Sequence, residues 1–389
     1  MHSRTPPGEL PPAAESPPSS ALLDRLSFAG FVLAVLFLCF IGGALVILTD
    51  VFPAQAMKDA YRGGKAYVDK MKMSENPLAS DFWQPERRPD KGVTLNTPDA
   101  YPGYTLYTSG HASEASLISL DGKVLHRWQL SFSAVWNETS PVKEPMPDNF
   151  FYWRKARLLP DGGLLAIFVV TGDTPWGYGM VKLDKDSNVI WSYLGQTHHD
   201  FDMGADGRIY ALTHEMRRTT YERHPQLTVP RLDDFVVVLS PEGEELKKVS
   251  ILDALAGSKY GWLLNRVVWY NKHDFIHTNN IDVLEGEEAA ALSFAEDGQV
   301  LLSFRDIDTI ALLDLESEKI VWTMRGGWIG QHDPDVLANG NILLYDNLGG
   351  FEQSGRTRIL EVDPDNGGVV WRYAGSLEQP FESEARGAQ

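Results

Sequence analysis

The sequence predicts an all-β β-propeller preceded by one transmembrane helix. Two observations carry the propeller. First, a strand–turn–strand unit recurs: Arg157 opens RLLPDGGLLAIF, His199 opens HDFDMGADGRIYAL, His277 opens HTNNIDVLEGEEAAALSF before EDGQVLLSF, and His332 opens HDPDVLANGNILLYDN. Second, each unit runs on to a strand marked by tryptophan: Trp128 in KVLHRW, Trp191 in NVIWSY, Trp322 in KIVW and Trp371 in VVWRY. Short strands repeated at this period are the mark of propeller blades. The third observation places the helix: Leu26 to Thr49 holds no charged residue, and a bilayer needs roughly 20 apolar residues.

The chain divides into four parts. Residues 1–25, rich in Pro, Ser and Glu, read as a disordered tail. Residues 26–50 read as the transmembrane helix. It is too long for the apolar core of a cleaved signal peptide. Residues 51–103 read as a stalk helix followed by a Pro-rich linker, and residues 104–389 as the propeller. Five units are readable. The first, from Tyr104 through GYTLYTSG, EASLISLDG and KVLHRW, has three strands where later units have four. The others run from about Lys155 to Leu194, His199 to Ile251, His277 to Met324 and His332 to Tyr373. A polar excursion over 214–232 extends the third unit, and residues 252–275 read as a helix and loop that interrupt the repeat. In the last unit, Asn339-Gly340 between apolar runs predicts a tight hairpin.

A formal net charge of −18 argues against nucleic-acid or anionic-lipid binding by the main domain. The single cysteine, Cys39, lies in the apolar segment, so no intramolecular disulfide forms. There is no P-loop, no GxGxxG at a strand–helix junction and no GxSxG elbow, so neither a nucleotide-binding enzyme nor a serine hydrolase is indicated. Arg4 and Arg25 precede the apolar helix; Lys58, Arg62, Lys65, Lys70 and Lys72 follow it. Taken literally, the positive-inside rule puts the large domain in the cytoplasm.

Equivalent ends of propeller blades face one mouth of the central channel. His198/His199, His277 and His332 therefore converge, with Arg305 one strand further on in the fourth unit. Imidazoles and a guanidinium around one axis suit an oxyanion, because arginine offers a planar fork and neutral histidine a nucleophile or acid–base group. The competing use is a transition-metal site, against which no pair of these histidines has i, i+2 or i, i+4 spacing. His198 and His199 also face opposite ways if that segment is regular strand.

The segments HHDFDMGADGRIYAL, DFIHTNNIDVL, SFRDIDTIALLD and QHDPDVLANGNILLYDNLG resemble the bacterial arylsulfotransferase family, the type that uses an ester donor and no nucleotide. The resemblance covers roughly residues 100–389. It implies a six-bladed propeller outside the cytoplasmic membrane, periplasmic in this arrangement, with neither cofactor nor metal. It implies transfer of a sulfuryl group from an aryl sulfate donor to a phenolic acceptor through a sulfohistidine. Carried over, the nucleophile falls on His332, the supporting histidines on His199 and His277, and the arginine on Arg305. His199 is preferred to His198 because Asp200 follows it, as Asp333 follows His332. In the family another hairpin and blade follow a GAQ-like sequence; here the sequence stops at Gln389. Trp328, Trp262 and Trp269 are candidates to stack on an aryl ring, or else ordinary core. The rival readings are a non-catalytic membrane-tethered propeller, with the histidines turned away from the channel, and a quinone-dependent oxidoreductase.

Overall fold

The computed structural model describes residues 19–49, 51–54, 56–58, 60–61, 64, 92–170, 177–266, 273–351, 355–383 and 386–387. The chain splits into two compact units, Met1–Ser74 and Glu75–Gln389. In the first, helix α1 spans Ser19–Thr49. It starts before the expected position because Asp24 and Arg25 continue the same helix beyond its apolar part. Its segment Leu23–Thr49 is long and apolar enough to cross a membrane, and none of it is buried by the protein. The described residues between 54 and 64 are helical. The tail before Ser19 and the linker up to residue 91 lie outside the described residues.

Among the described residues, the second unit holds five antiparallel sheets arranged as propeller blades. Blade one has β1 (Thr105–Thr108), β2 (Glu114–Ile118) and β3 (Val124–Gln129). Blade two has β4 (Phe151–Leu158), β5 (Leu164–Val170), β6 (Gly177–Leu183) and β7 (Val189–Tyr193). Blade three has β8 (Thr197–Met203), β9 (Ile209–Arg217), β10 (Arg231–Leu239) and β11 (Glu245–Ser250). Blade four has β12 (Thr278–Val283), β13 (Val300–Phe304), β14 (Thr309–Asp314) and β15 (Lys319–Met324). Blade five has β16 (His332–Val336), β17 (Ile342–Asp346), β18 (Arg358–Val362) and β19 (Val369–Ala374). Strands follow chain order within every sheet, and the first strands β4, β8, β12 and β16 pack side by side in turn.

The middle strands explain the continuous apolar runs. Every residue of β5, β10 and β13 is buried. Side chains alternate faces along a strand, and here both faces meet a neighbouring blade. In β10, Val236 and Val238 join the core shared with blade four, whereas Val237 and Leu239 join the core shared with blade two. In β13, Val300, Leu302 and Phe304 face blade three, and Leu301 packs with Ile342 and Leu344 of blade five. Of the marker tryptophans, Trp128 is buried and Trp371 half exposed. Trp191 donates to the Pro241 carbonyl at 3.0 Å and lies against Gly243, where a Cβ would sit 2.6 Å from the ring.

The repeat is most exact at the inner hairpins. Gly162, Gly207 and Gly340 have φ of +85°, +83° and +83°. Each donates its N–H three residues back, to Leu159, Gly204 and Leu337. At the Asn339-Gly340 turn only the glycine takes the left-handed conformation; Asn339 instead accepts the Asn341 N–H at 3.0 Å. The loop is thus longer than a two-residue hairpin. The excursion expected at 214–232 is also shorter. β9 reaches Arg217 and β10 begins at Arg231, because ion pairs Arg231–Asp233 and Lys248–Glu215 satisfy the charges of this long hairpin. The insertion after blade three contains helix α2 (Ile251–Ala256), capped by Ser250, and a 3-10 turn at Gly261–Arg266. Helix α3 (Glu287–Ala291) separates β12 from β13.

Candidate active site

The inner strand of each four-stranded blade breaks register at one place. The breaks lie between Trp153 and Ala156, Thr197 and Phe201, Thr278 and Asn280, and His332 and Asp335. Bulges of this kind re-aim side chains and concentrate beside active sites. His199, His277 and Asp333 have φ of +52°, +51° and +49°, a conformation uncommon outside glycine. His199 therefore does not alternate with His198 as regular strand would require. The two rings meet, with Nδ1 atoms 2.7 Å apart.

Three of the four expected residues come together. The rings of His199 and His277 lie edge to face, centroids 4.9 Å apart. His199 and His332 line one cavity of about 360 Å³ with Arg154, Lys155, Asp200, Asn279, Asp333, Arg386 and Gly387. Arg305 does not line it. Its guanidinium is bound to Asp306 at 2.6 Å, and its charge reaches the site only as an influence on His277 and His332. Trp328 is buried between blades four and five, which makes it core; Trp262 is exposed on the surface, and Trp269 lies outside the described residues.

The tautomer of His332 follows from its neighbours. The Asn347 amide nitrogen donates to the Ser383 and Arg386 carbonyls, at 2.7 and 3.0 Å, so its oxygen must be the atom 2.7 Å from His332 Nδ1. The Gly330 carbonyl faces the same nitrogen at 3.2 Å. Two acceptors at Nδ1 require a proton there, which leaves the lone pair on Nε2. Burial pushes the His332 pKa down to about 3, against the Asn347 hydrogen bond and helped by Arg154 and Arg305. The ring is neutral through the physiological range.

His277 is the exception among these histidines. Burial alone would lower it, but Asp274, 2.5 Å from Nδ1, and then Asp306 raise it above the ordinary value. Burial holds His199 well below that value, with Arg154 and His277 adding to the effect. A histidine raised by its carboxylate partner thus sits against one held down by burial, and the second of them lines the cavity. Asp200 anchors the floor: it pairs with Lys155 and accepts from the Asn280 amide at 2.9 Å and the Ile281 N–H at 3.2 Å.

Behind His199, His198, His214 and Asp234 bring three possible ligand atoms within 4.8 Å of one another. His198 Nε2 lies 3.5 Å from Asp234 Oδ1, close to the edge of a tetrahedron with bonds of about 2.1 Å. The two imidazoles, however, stack with planes 17° apart and centroids at 4.6 Å. An ion cannot lie in both planes at once, so binding would require His214 to turn.

The sequence reading missed Arg154, Asp274, Asn347 and Arg386. A signal existed for Arg154. It stands eight residues before the hairpin glycine Gly162, as His199 precedes Gly207 and His332 precedes Gly340. Placing the start of the second unit at Lys155 hid that alignment.

A family model described as arylsulfotransferase (ASST) matches residues 155–389. No curated protein matches the chain. Among solved structures it is similar to a protein of unknown function from Bacteroides caccae, at 15% identity over 69% of this chain and 77% of that one, with a TM-score of 0.39. It is also similar to a streptogramin B lyase, at 11% identity over 73% and 72%, TM-score 0.39. A third is virginiamycin B lyase from Staphylococcus aureus, at 13% identity over 70% and 67%, TM-score 0.38.

Proposed function

The chain belongs to the arylsulfotransferase family, and we propose that it moves a sulfuryl group from a phenolic sulfate ester to a phenolic acceptor through His332. The supporting observation is a buried, neutral imidazole whose Nδ1 proton is held by Asn347 and Gly330, beside a cavity of about 360 Å³. In the first half-reaction the Nε2 lone pair attacks sulfur. The N–S bond forms as the S–O bond to the aryl group breaks, and the electron pair leaves on the phenolate. The His199–His277 pair supplies the proton: His277 is its reserve, its proton held more firmly because of Asp274, and His199 is the member at the cavity. In the second half-reaction the acceptor phenol gives its proton back to that pair. Its oxygen attacks sulfur, and the N–S electron pair returns to His332. Two transfers through one covalent intermediate give ping-pong kinetics. Arg305 contributes a more distant positive charge.

Helix α1 is proposed to anchor the protein in the inner membrane, with the propeller on the periplasmic side as in the family. Protease accessibility in intact spheroplasts tests the orientation; protection until lysis would reverse it. The mechanism is tested by brief exposure to 4-nitrophenyl sulfate followed by peptide mass spectrometry. The expected result is a sulfated His332 peptide, discharged by phenol and absent in His332→Ala. Unchanged turnover in that variant, or label on another residue, would overturn the assignment.

A further inference from the structure

We infer that Arg154 and Arg386 form a clamp for the sulfuryl oxygens of the donor beside His332, an inference that rests on His332 being the sulfuryl acceptor. The first support is register. The break in β4 falls between Trp153 and Ala156, as the break in β8 spans His199, that in β16 begins at His332 and spans Asp333, and that in β12 falls at Asn279. Arg154 is thus the blade-two counterpart of His199 and His332, at the same eight-residue distance from the hairpin glycine. It lies just before the segment matched by the family.

The second support is the ion-pair inventory. Nearby cations are committed to carboxylates: Lys155 to Asp200, Arg157 to Asp202, Arg305 to Asp306 and Arg358 to Asp346. Among the described residues neither Arg154 nor Arg386 has a carboxylate within ion-pair distance, yet both line the cavity. Burial and the neighbouring Arg386 charge bring the Arg154 pKa down to about 10, so the Arg154 guanidinium remains charged at neutral pH. Two like charges around one cavity are relieved by an anion between them. Guanidinium forks fit the oxygens of a tetrahedral oxyanion.

The third support is a shared hinge-pin. Arg386 donates to the Tyr152 hydroxyl at 2.7 Å, with its guanidinium 5.5 Å from that ring. The carbonyl of the same residue is held by Asn347, the amide that orients His332. One side chain therefore sets both the nucleophile and the second arm of the clamp.

The test is calorimetric titration of inorganic sulfate into the full chain in detergent at constant ionic strength, together with single-turnover release of 4-nitrophenolate. Arg154→Met and Arg386→Met are each expected to weaken sulfate binding at least tenfold. They should slow release by about 10²- to 10³-fold, the loss seen when one preorganised donor is removed. Arg154→Lys should recover part of both. Arg386 is exposed at the mouth, so its variant remains informative if Arg154→Met fails to fold. Wild-type affinity for sulfate in Arg154→Met and Arg386→Met, or no sulfate binding by the unaltered chain, would overturn the clamp. If His332 is sulfated at the normal rate in both variants, the transfer reading survives and the clamp falls. If sulfate binding depends on both arginines but His332 is never sulfated, the clamp stands and the transfer reading falls.

Discussion

Replacing Asn347 removes the acceptor that prepares His332 for attack, and with it the amide that holds the Ser383 and Arg386 carbonyls. In Asn347→Leu the shape is nearly kept, but His332 Nδ1 loses its acceptor at 2.7 Å and retains only Gly330 at 3.2 Å. As the N–S bond forms, the imidazole gains positive charge, so the lost hydrogen bond is one to a charged group, about 1.5–3 kcal/mol. At 1.36 kcal/mol per tenfold in rate, transfer to His332 should slow by roughly 10- to 150-fold. Asn347→Asp acts differently. A carboxylate in contact raises the pKa of a histidine by about 1–3 units. Starting from about 3, that puts an acid limb roughly between pH 4 and 6, absent in the unaltered chain. The assay is the pH dependence of single-turnover 4-nitrophenolate release. Full-rate transfer in Asn347→Leu, with no acid limb in Asn347→Asp, would show that Nδ1 is not what readies the ring.

Three further outcomes follow from the geometry. Asp274→Asn removes the charge that lifts His277 above its usual value. Release of phenol from phenyl sulfate, a poorer leaving group that needs the protonated form, should then fail at a pH about one unit lower or more; an unmoved alkaline limb would remove His277 as proton reserve. His198 is buried and depressed to about 3, chiefly by burial. A depressed histidine makes the fold lose stability as pH drops below about 6.5, the unfolded value, and the loss is complete near the folded value. By pH 5 that loss is about 2 kcal/mol, so His198→Asn should narrow the gap between unfolding free energies at pH 7.5 and pH 5 by about that amount, read from urea melts. Equal gaps in both proteins would mean that His198 does not stay neutral. Finally, a Cβ on Gly387 would sit 2.2 Å from the Tyr345 ring. Gly387→Ala should displace the segment carrying Arg386 and lower sulfate affinity with both arginines intact; unchanged affinity would mean that this segment is not held where the structure has it.

The blades were legible because their physics is local. Alternation, apolar middle strands and the Asp-Gly or Asn-Gly hairpins all lie within about ten residues of each other in the sequence, and the five units match the observed sheets. The three-stranded first blade was readable for the same reason. His332, His277 and His199 could be placed because they recur in register. Arg305 was placed nearby, but sequence could not reveal that Asp306 would occupy its guanidinium. For Trp328 beside the motif, sequence left stacking on a ring or ordinary core open, with core preferred, and its burial between two blades makes it core. Asn347 and Arg386 were out of reach for a different reason. Their roles arise from contacts between distant parts of the chain: Arg386 meets Tyr152 across more than half its length. The left-handed backbone at His199 and His277 likewise left no compositional trace, since neither is glycine or asparagine.

The register breaks in the inner strands have a bearing on how such a protein can change. At those corners the hydrogen-bonded ladder is already interrupted, so a new side chain there disturbs little of the sheet behind it. Arginine, histidine and aspartate already occupy these corners in different blades of one chain. The wheel thus acts as a rack of exchangeable tool-holders, in which reactivity can be altered one spoke at a time while the hub keeps its shape.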